Sequence, residues 1–137
     1  MKGYLLDTSL ISEILKKRPS SQVMGRLRAV PAWQLLTTST VCVMELRFGA
    51  VRHPDGEPLW QRIRREVLDR ISILPLGLKE AVKAGEVLAA LQAAGTPIGV
   101  EDVLIGATAL AHDLTVATRN LKHFSRLPGL LTEDWWA

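Results

Sequence analysis

Residues 2–17 read KGYLLDTSLISEILKK, and this stretch decides the fold. Lys2 to Leu6 is short and apolar at its centre, the pattern of a buried strand. Asp7-Thr8-Ser9 follows, and its hydroxyls are good N-terminal caps for a helix over residues 10–17. A strand that turns directly into a helix, with an acid at the turn, is the opening unit of a parallel α/β sheet.

The same unit recurs outward from that segment. Pro19 and Ser20-Ser21 stop the first helix and cap a second to about residue 30, where Pro31 breaks the pattern. Residues 35–38 are β-prone, and Ser39 or Thr40 caps a helix over 41–51 that carries Glu45 and is loosened by Gly49. His53-Pro54-Asp55-Gly56 is a turn before an amphipathic helix over 57–69, and a brief apolar strand covers 71–76. A helix over 78–94 closes at Gly95, and another spans 100–113. A strand over 114–117, a turn at Thr118-Arg119-Asn120, a short helix over 121–126 and a last strand at 130–131 complete the pattern. Strands alternating with helices, without tight hairpins, predict a short parallel sheet covered by helices on both faces.

The chain has 137 residues, one domain's worth of core. No apolar run approaches the roughly 18–20 residues a membrane span needs, and Asp7 interrupts the apolar start without a cleavage site after it, so the expected location is the cytoplasm, with no membrane partner. Seventeen Lys and Arg against fourteen Asp and Glu give a net charge of +3, which permits nucleic-acid binding without demanding it. The lone cysteine, Cys42, lies in an apolar stretch and reads as a buried, inert thiol. The histidines His53, His112 and His123 lack metal-ligand spacing, which excludes zinc, and read as surface or structural residues. Trp33, Trp60, Trp135 and Trp136 read as anchors of a core or subunit interface.

Ligands of open parallel sheets bind beyond the carboxyl ends of the strands. Asp7 ends the first strand, Glu45 projects from the helix after the second, Asp102 lies in the first turn of its helix and Asn120 follows the fourth strand. Each alone is explained by helix capping or solvent exposure. Glu45 and Asp102 are nonetheless set among apolar residues, where a carboxylate is costly unless paired or bound to a cation. Several such carboxylates brought together favour a hard divalent ion, magnesium or manganese. Glu101, beside Asp102, points about 100° away on a helix and is expected at the rim or as a cap.

The segments YLLDTSLIS, TSTVCVMELRFG and IGVEDVLIGATALAHDLTVATRNLKHF resemble the signature segments of PIN domains, specifically the VapC and FitB-like toxins, in order and spacing across nearly the whole chain. The resemblance implies a three-layer α/β/α sandwich over residues 1–137, a homodimer, and a magnesium-binding acidic site that cuts single-stranded RNA through a metal-activated water. Asp7, Glu45 and Asp102 match the family's acidic metal ligands, and Asn120 stands at a fourth catalytic place that is commonly Asp, which puts a second metal in doubt. Thr8, Ser39 and Thr118 match supporting hydroxyls. Arg47, Arg119 and Lys122 are the RNA-binding candidates near these acids. The resemblance also implies a cognate antitoxin lying across the early helices, over residues 10–17, 21–30 and 57–69. A haloacid-dehalogenase phosphatase would need an acid where Ser9 stands, and a receiver domain a central phosphoacceptor Asp that neither TTST nor LPLG offers. A PIN-like module that binds RNA or protein without cleaving stays open on the strength of Asn120.

Overall fold

The structure is a computed structural model and describes residues 2–137; Met1, the first residue of the expected domain, lies outside them. Among the described residues, five parallel strands run in the order β3-β2-β1-β4-β5: β1 (Gly3–Leu6), β2 (Leu35–Ser39), β3 (Ser72–Leu74), β4 (Thr115–Ala117) and β5 (Thr132–Glu133). Seven helices of the described residues lie between and around them: α1 (Thr8–Ile14), α2 (Ser21–Ala29), α3 (Thr40–Arg52), α4 (Gly56–Glu66), α5 (Leu78–Ala94), α6 (Val100–Ala111) and α7 (Leu121–Phe124). A 3-10 turn at Leu68–Arg70 precedes β3.

The central strand β1 is buried along its whole length, and its alternation builds two cores. Tyr4 and Leu6 face one side, with Leu10, Ile11, Val23, Ile63 and Trp135. Leu5 faces the other, with Cys42, Ile105, Val116 and Phe124. Successive side chains of a strand point to opposite faces, so a strand apolar throughout needs helices on both sides. The result is the expected three-layer sandwich.

Several boundaries differ from the sequence reading. The last strand is Thr132–Glu133, two residues beyond the apolar pair; Glu133 Oε1 accepts from Trp135 Nε1 at 3.0 Å and also pairs with Arg26, so polar bonds rather than apolar burial hold this edge. The first helix starts at Thr8 and ends at Ile14, because Asp7, not the hydroxyls, caps it. Gly49 does not interrupt α3. The fourth helix gives way to the 3-10 turn at Leu68. Gly95 closes α5 in the left-handed conformation, φ 69°, as expected of glycine there.

The chain leaves β1 toward β2 and β3 on one side, then returns to place β4 and β5 on the other. The reversal lies between β1 and β4, the topological switch point at which open α/β sheets bind ligands.

Candidate active site at the switch point

Three strand ends build the site. Beyond β1, Asp7 is buried, and its backbone N–H donates to Ala117 O of β4 at 3.1 Å. Its carboxylate accepts from Thr8 N at 2.8 Å, Ser9 Oγ at 3.2 Å and Thr118 Oγ1 at 2.7 Å. The hydroxyls that read as helix caps therefore serve the acid instead. At the end of β2, Ser39 caps α3 by accepting from Cys42 N at 3.1 Å. That cap fixes the start of the helix that presents Glu45 half-buried beside Asp7, and Thr8 Oγ1 donates to Glu45 Oε1 at 2.6 Å.

Beyond β4, Asn120 N donates to Thr118 Oγ1 at 2.9 Å, and Asn120 Nδ2 donates to Asp102 Oδ2 at 3.1 Å. Asp102 sits in the first turn of α6, as expected. Asp7, Cys42 and Glu45 offer ligand atoms within 4.8 Å of one another. Asp102 stands farther out, yet its charge reaches both inner acids. Burial pushes the Asp7 carboxyl above its ordinary value, against the pull of the Thr118 and Thr8 hydrogen bonds, and Asp102 adds to the upward push. Burial also raises Glu45, which the Thr8 bond opposes and the charges of Asp7, Asp102 and Glu101 reinforce.

These shifts mark carboxylates whose burial makes ionisation costly, with the neighbouring acids adding to that cost. Among the described residues, neither Asp7 nor Glu45 has a Lys or Arg ion-pair partner. Converging carboxylate oxygens without a protein counter-charge fit a hard divalent cation. The Cys42 thiol does not belong to that donor set: burial raises its pKa, it is fully enclosed, and Ser39 Oγ donates to its sulfur at 3.3 Å. The inert reading of this cysteine stands.

The basic candidates are exposed. Arg119 follows Thr118 directly, its backbone N–H donates to Ser9 Oγ at 3.3 Å, and its guanidinium lies 5.2 Å from the Trp136 ring. Lys122 is on α7, two residues past Asn120. The Arg47 guanidinium is drawn over Trp60, 5.1 Å from its ring centre, toward α4. Trp135 is a core anchor as expected, while Trp33 is 77% exposed and anchors no core.

Sequence reading missed two residues. Ser9 is a direct partner of Asp7, and His123 is no mere surface residue, since its Nδ1 lies 2.9 Å from Asp102 Oδ2 and 3.0 Å from Asn120 Nδ2. The signal was the spacing: His123 follows Asn120 by three residues, which puts both on one side of a single helical turn. His112 is structural, with Nε2 2.6 Å from Glu80 Oε2.

A family profile of the PIN domain matches residues 4–130. The chain belongs to the PIN-domain family. Among relatives, it is 30% identical over 140 residues to the tRNA(fMet)-specific endonuclease VapC of Salmonella typhimurium, covering 98% of this chain and 99% of that protein. Among solved structures, FitAcB from Neisseria gonorrhoeae superposes with a TM-score of 0.88 at 29% identity, covering 97% of this chain and 98% of that one. A toxin-antitoxin complex from Klebsiella pneumoniae matches with a TM-score of 0.71 at 27% identity over 95% of this chain and 97% of that one. The first two place it with the VapC/FitB-like PIN domains.

Proposed function

We propose that this PIN domain, acting over residues 1–137, is a magnesium-dependent endoribonuclease that hydrolyses single-stranded RNA as the toxin of a type II toxin–antitoxin pair. The observation that carries the reading is the pair of unneutralised carboxylates, Asp7 and Glu45, gathered at the switch point with Asp102 beside them. The names of the relatives point the same way, one a tRNA(fMet)-specific endonuclease and one a toxin-antitoxin complex.

Asp7, Glu45 and Asp102 would hold the ion. When bound, magnesium or manganese lowers the pKa of its water and offsets charge on the phosphoryl transition state. The chain's own residues supply the rest. Thr8 and Thr118 lock Glu45 and Asp7 through their hydroxyls, and Ser39 fixes the helix under Glu45. Asn120 orients Asp102 through its amide and brings no charge, which disfavours a tightly held second ion. Arg119 and Lys122, with Arg47 farther along α3, neutralise RNA phosphates at the rim and make affinity fall with salt.

A groove of about 310 Å³ leads away from Glu45 between α1, α3 and α4, lined by Thr8, Leu15, Lys16, Leu46, Leu59 and Ile63. It suits an apolar segment of an antitoxin entering beside the acids. The exposed α3 residues Met44, Phe48 and Val51 supply an apolar stripe for a homodimer. Among the described residues no helix is long and apolar enough to cross a membrane, in keeping with a cytoplasmic enzyme.

Purified protein is incubated with unstructured RNA and with tRNA, with magnesium, with manganese and with EDTA. Cleavage that requires the ion and is lost in Asp7→Asn supports the reading. Cleavage that survives both EDTA and Asp7→Asn overturns it.

A further inference from the structure

We propose that His123 is a positioning residue for divalent-metal binding, holding Asp102 by one carboxylate oxygen so that the other is presented to the ion; this rests on the metal-nuclease reading above. Three polar atoms from two elements meet at one point. His123 Nδ1, Asn120 Nδ2 and Asp102 Oδ2 lie 2.9, 3.0 and 3.1 Å from one another.

Their chemistry assigns the protons. A carboxylate oxygen only accepts, so the 2.9 Å contact places the hydrogen on His123 Nδ1. The amide of Asn120 donates to the same oxygen. The two nitrogens thus lie side by side because both aim at Oδ2, and neither accepts from the other. Oδ2 is occupied twice, which orients the carboxylate and leaves Oδ1 as the ligand oxygen.

The support for this bond is built into the fold. Phe124, next to His123, is fully buried in the core that also holds Leu5 and Val116. Asn120 is tied back to Thr118, and Thr118 to Asp7. A continuous chain of hydrogen bonds therefore links the inner acid Asp7 to the outer acid Asp102, and His123 ends it. Hydrogen bonds that orient metal ligands in this way typically change metal affinity by about 10- to 100-fold when removed.

The His123 side chain is 39% exposed, so its replacement leaves the core intact. Manganese binding to the full chain is titrated by the electron paramagnetic resonance of free Mn2+, for the wild type, His123→Ala, His123→Leu and His123→Asn. The asparagine amide donates from near the Nδ1 position, whereas alanine and leucine donate nothing. The expected result is an Mn2+ dissociation constant raised about 10-fold or more in His123→Ala and His123→Leu, and within about threefold of wild type in His123→Asn. Cleavage by His123→Ala should recover toward the wild-type rate as Mn2+ is raised to saturation.

Wild-type affinity in both the alanine and leucine variants overturns the proposal while leaving the nuclease reading intact. So does an asparagine variant as weak as alanine. A wild-type chain that binds no Mn2+ at millimolar concentration overturns the nuclease reading and this proposal with it.

Discussion

Thr8 Oγ1 donates to Glu45 Oε1 at 2.6 Å across 37 residues of sequence. The hydroxyl belongs to the first residue of α1 and the carboxylate to the second turn of α3, so the bond fixes the distance between the two helices that carry the inner acids. Valine keeps the shape of threonine but cannot donate. Thr8→Val should lower stability by about 1–3 kcal/mol, the cost of stranding a partly buried polar partner. It should also weaken Mn2+ binding, because Glu45 is then free to turn away from Asp7. Chemical denaturation and metal titration of the same preparation check both.

Asp7 is predicted to trade stability for chemistry. Burial holds its carboxyl above the ordinary value, so at neutral pH the ionised form opposes folding of the metal-free protein. An asparagine side chain in its place keeps an amide oxygen to accept from Thr8 N, and its NH2 can donate to the hydroxyls of Ser9 and Thr118. Asp7→Asn should therefore raise the Tm of the metal-free chain at about pH 7 while cleavage falls by at least about 100-fold, the pattern of a strained functional site. Calorimetry beside an RNA cleavage assay reads the two; a lower Tm in the variant contradicts the assignment.

How far the site was legible follows from what its residues depend on. Asp7 could be read because a strand-to-helix turn and its acid are local in sequence. The gathering of Glu45 beside it, with Asp102 farther out, depends on β1 lying between β2 and β4, which neither period nor propensity encodes; the rule that open parallel sheets bind ligands beyond their strand ends pointed to this edge, and the family resemblance matched the residues to roles. Ser9 and His123 were lost for a different reason. A hydroxyl in a helix's first turn and a histidine near the surface have ordinary uses, and only the distances to Asp7 Oδ2 and Asp102 Oδ2 distinguish them. The edge strand β5 was misplaced because apolarity marks central strands, whereas an edge can be held by polar bonds.

Gly56 opens α4 where a Cβ would lie 2.3 Å from the carbonyl oxygen of Ala50 in α3. The nearest atoms that Cβ would meet are all backbone, of Ala50 and Val51, so the clash cannot be relieved by rotating a side chain. Gly56→Ala should push α4 away from α3 and destabilise the protein by about 1–3 kcal/mol, the usual cost of overpacking. Leu59 and Ile63 of α4 line the groove beside Glu45, so binding of an antitoxin-derived peptide should weaken in parallel. Denaturation and peptide titration measure the two effects.

The last prediction concerns an acid outside the site. Glu13 accepts from Ser20 N at 2.9 Å, Lys16 Nζ at 3.0 Å and Trp136 Nε1 at 3.1 Å, tying α1 to the start of α2 and to the C-terminal segment. The Ser20 backbone bond, followed by those from Lys16 and Trp136, lowers its pKa from 4.5 to about 2. A carboxyl whose folded pKa lies below its unfolded value binds more protons when unfolded. Its stabilising contribution is therefore complete above about pH 5 and is lost as the pH falls toward the folded value. Glu13→Gln removes the charge at every pH. The Tm gap between wild type and Glu13→Gln should be widest at neutral pH and should shrink steadily between pH 4.5 and about 2, with both proteins measured in one ionic strength. A gap that stays constant across that window would mean that the carboxylate's charge contributes nothing and that the three bonds act only through shape.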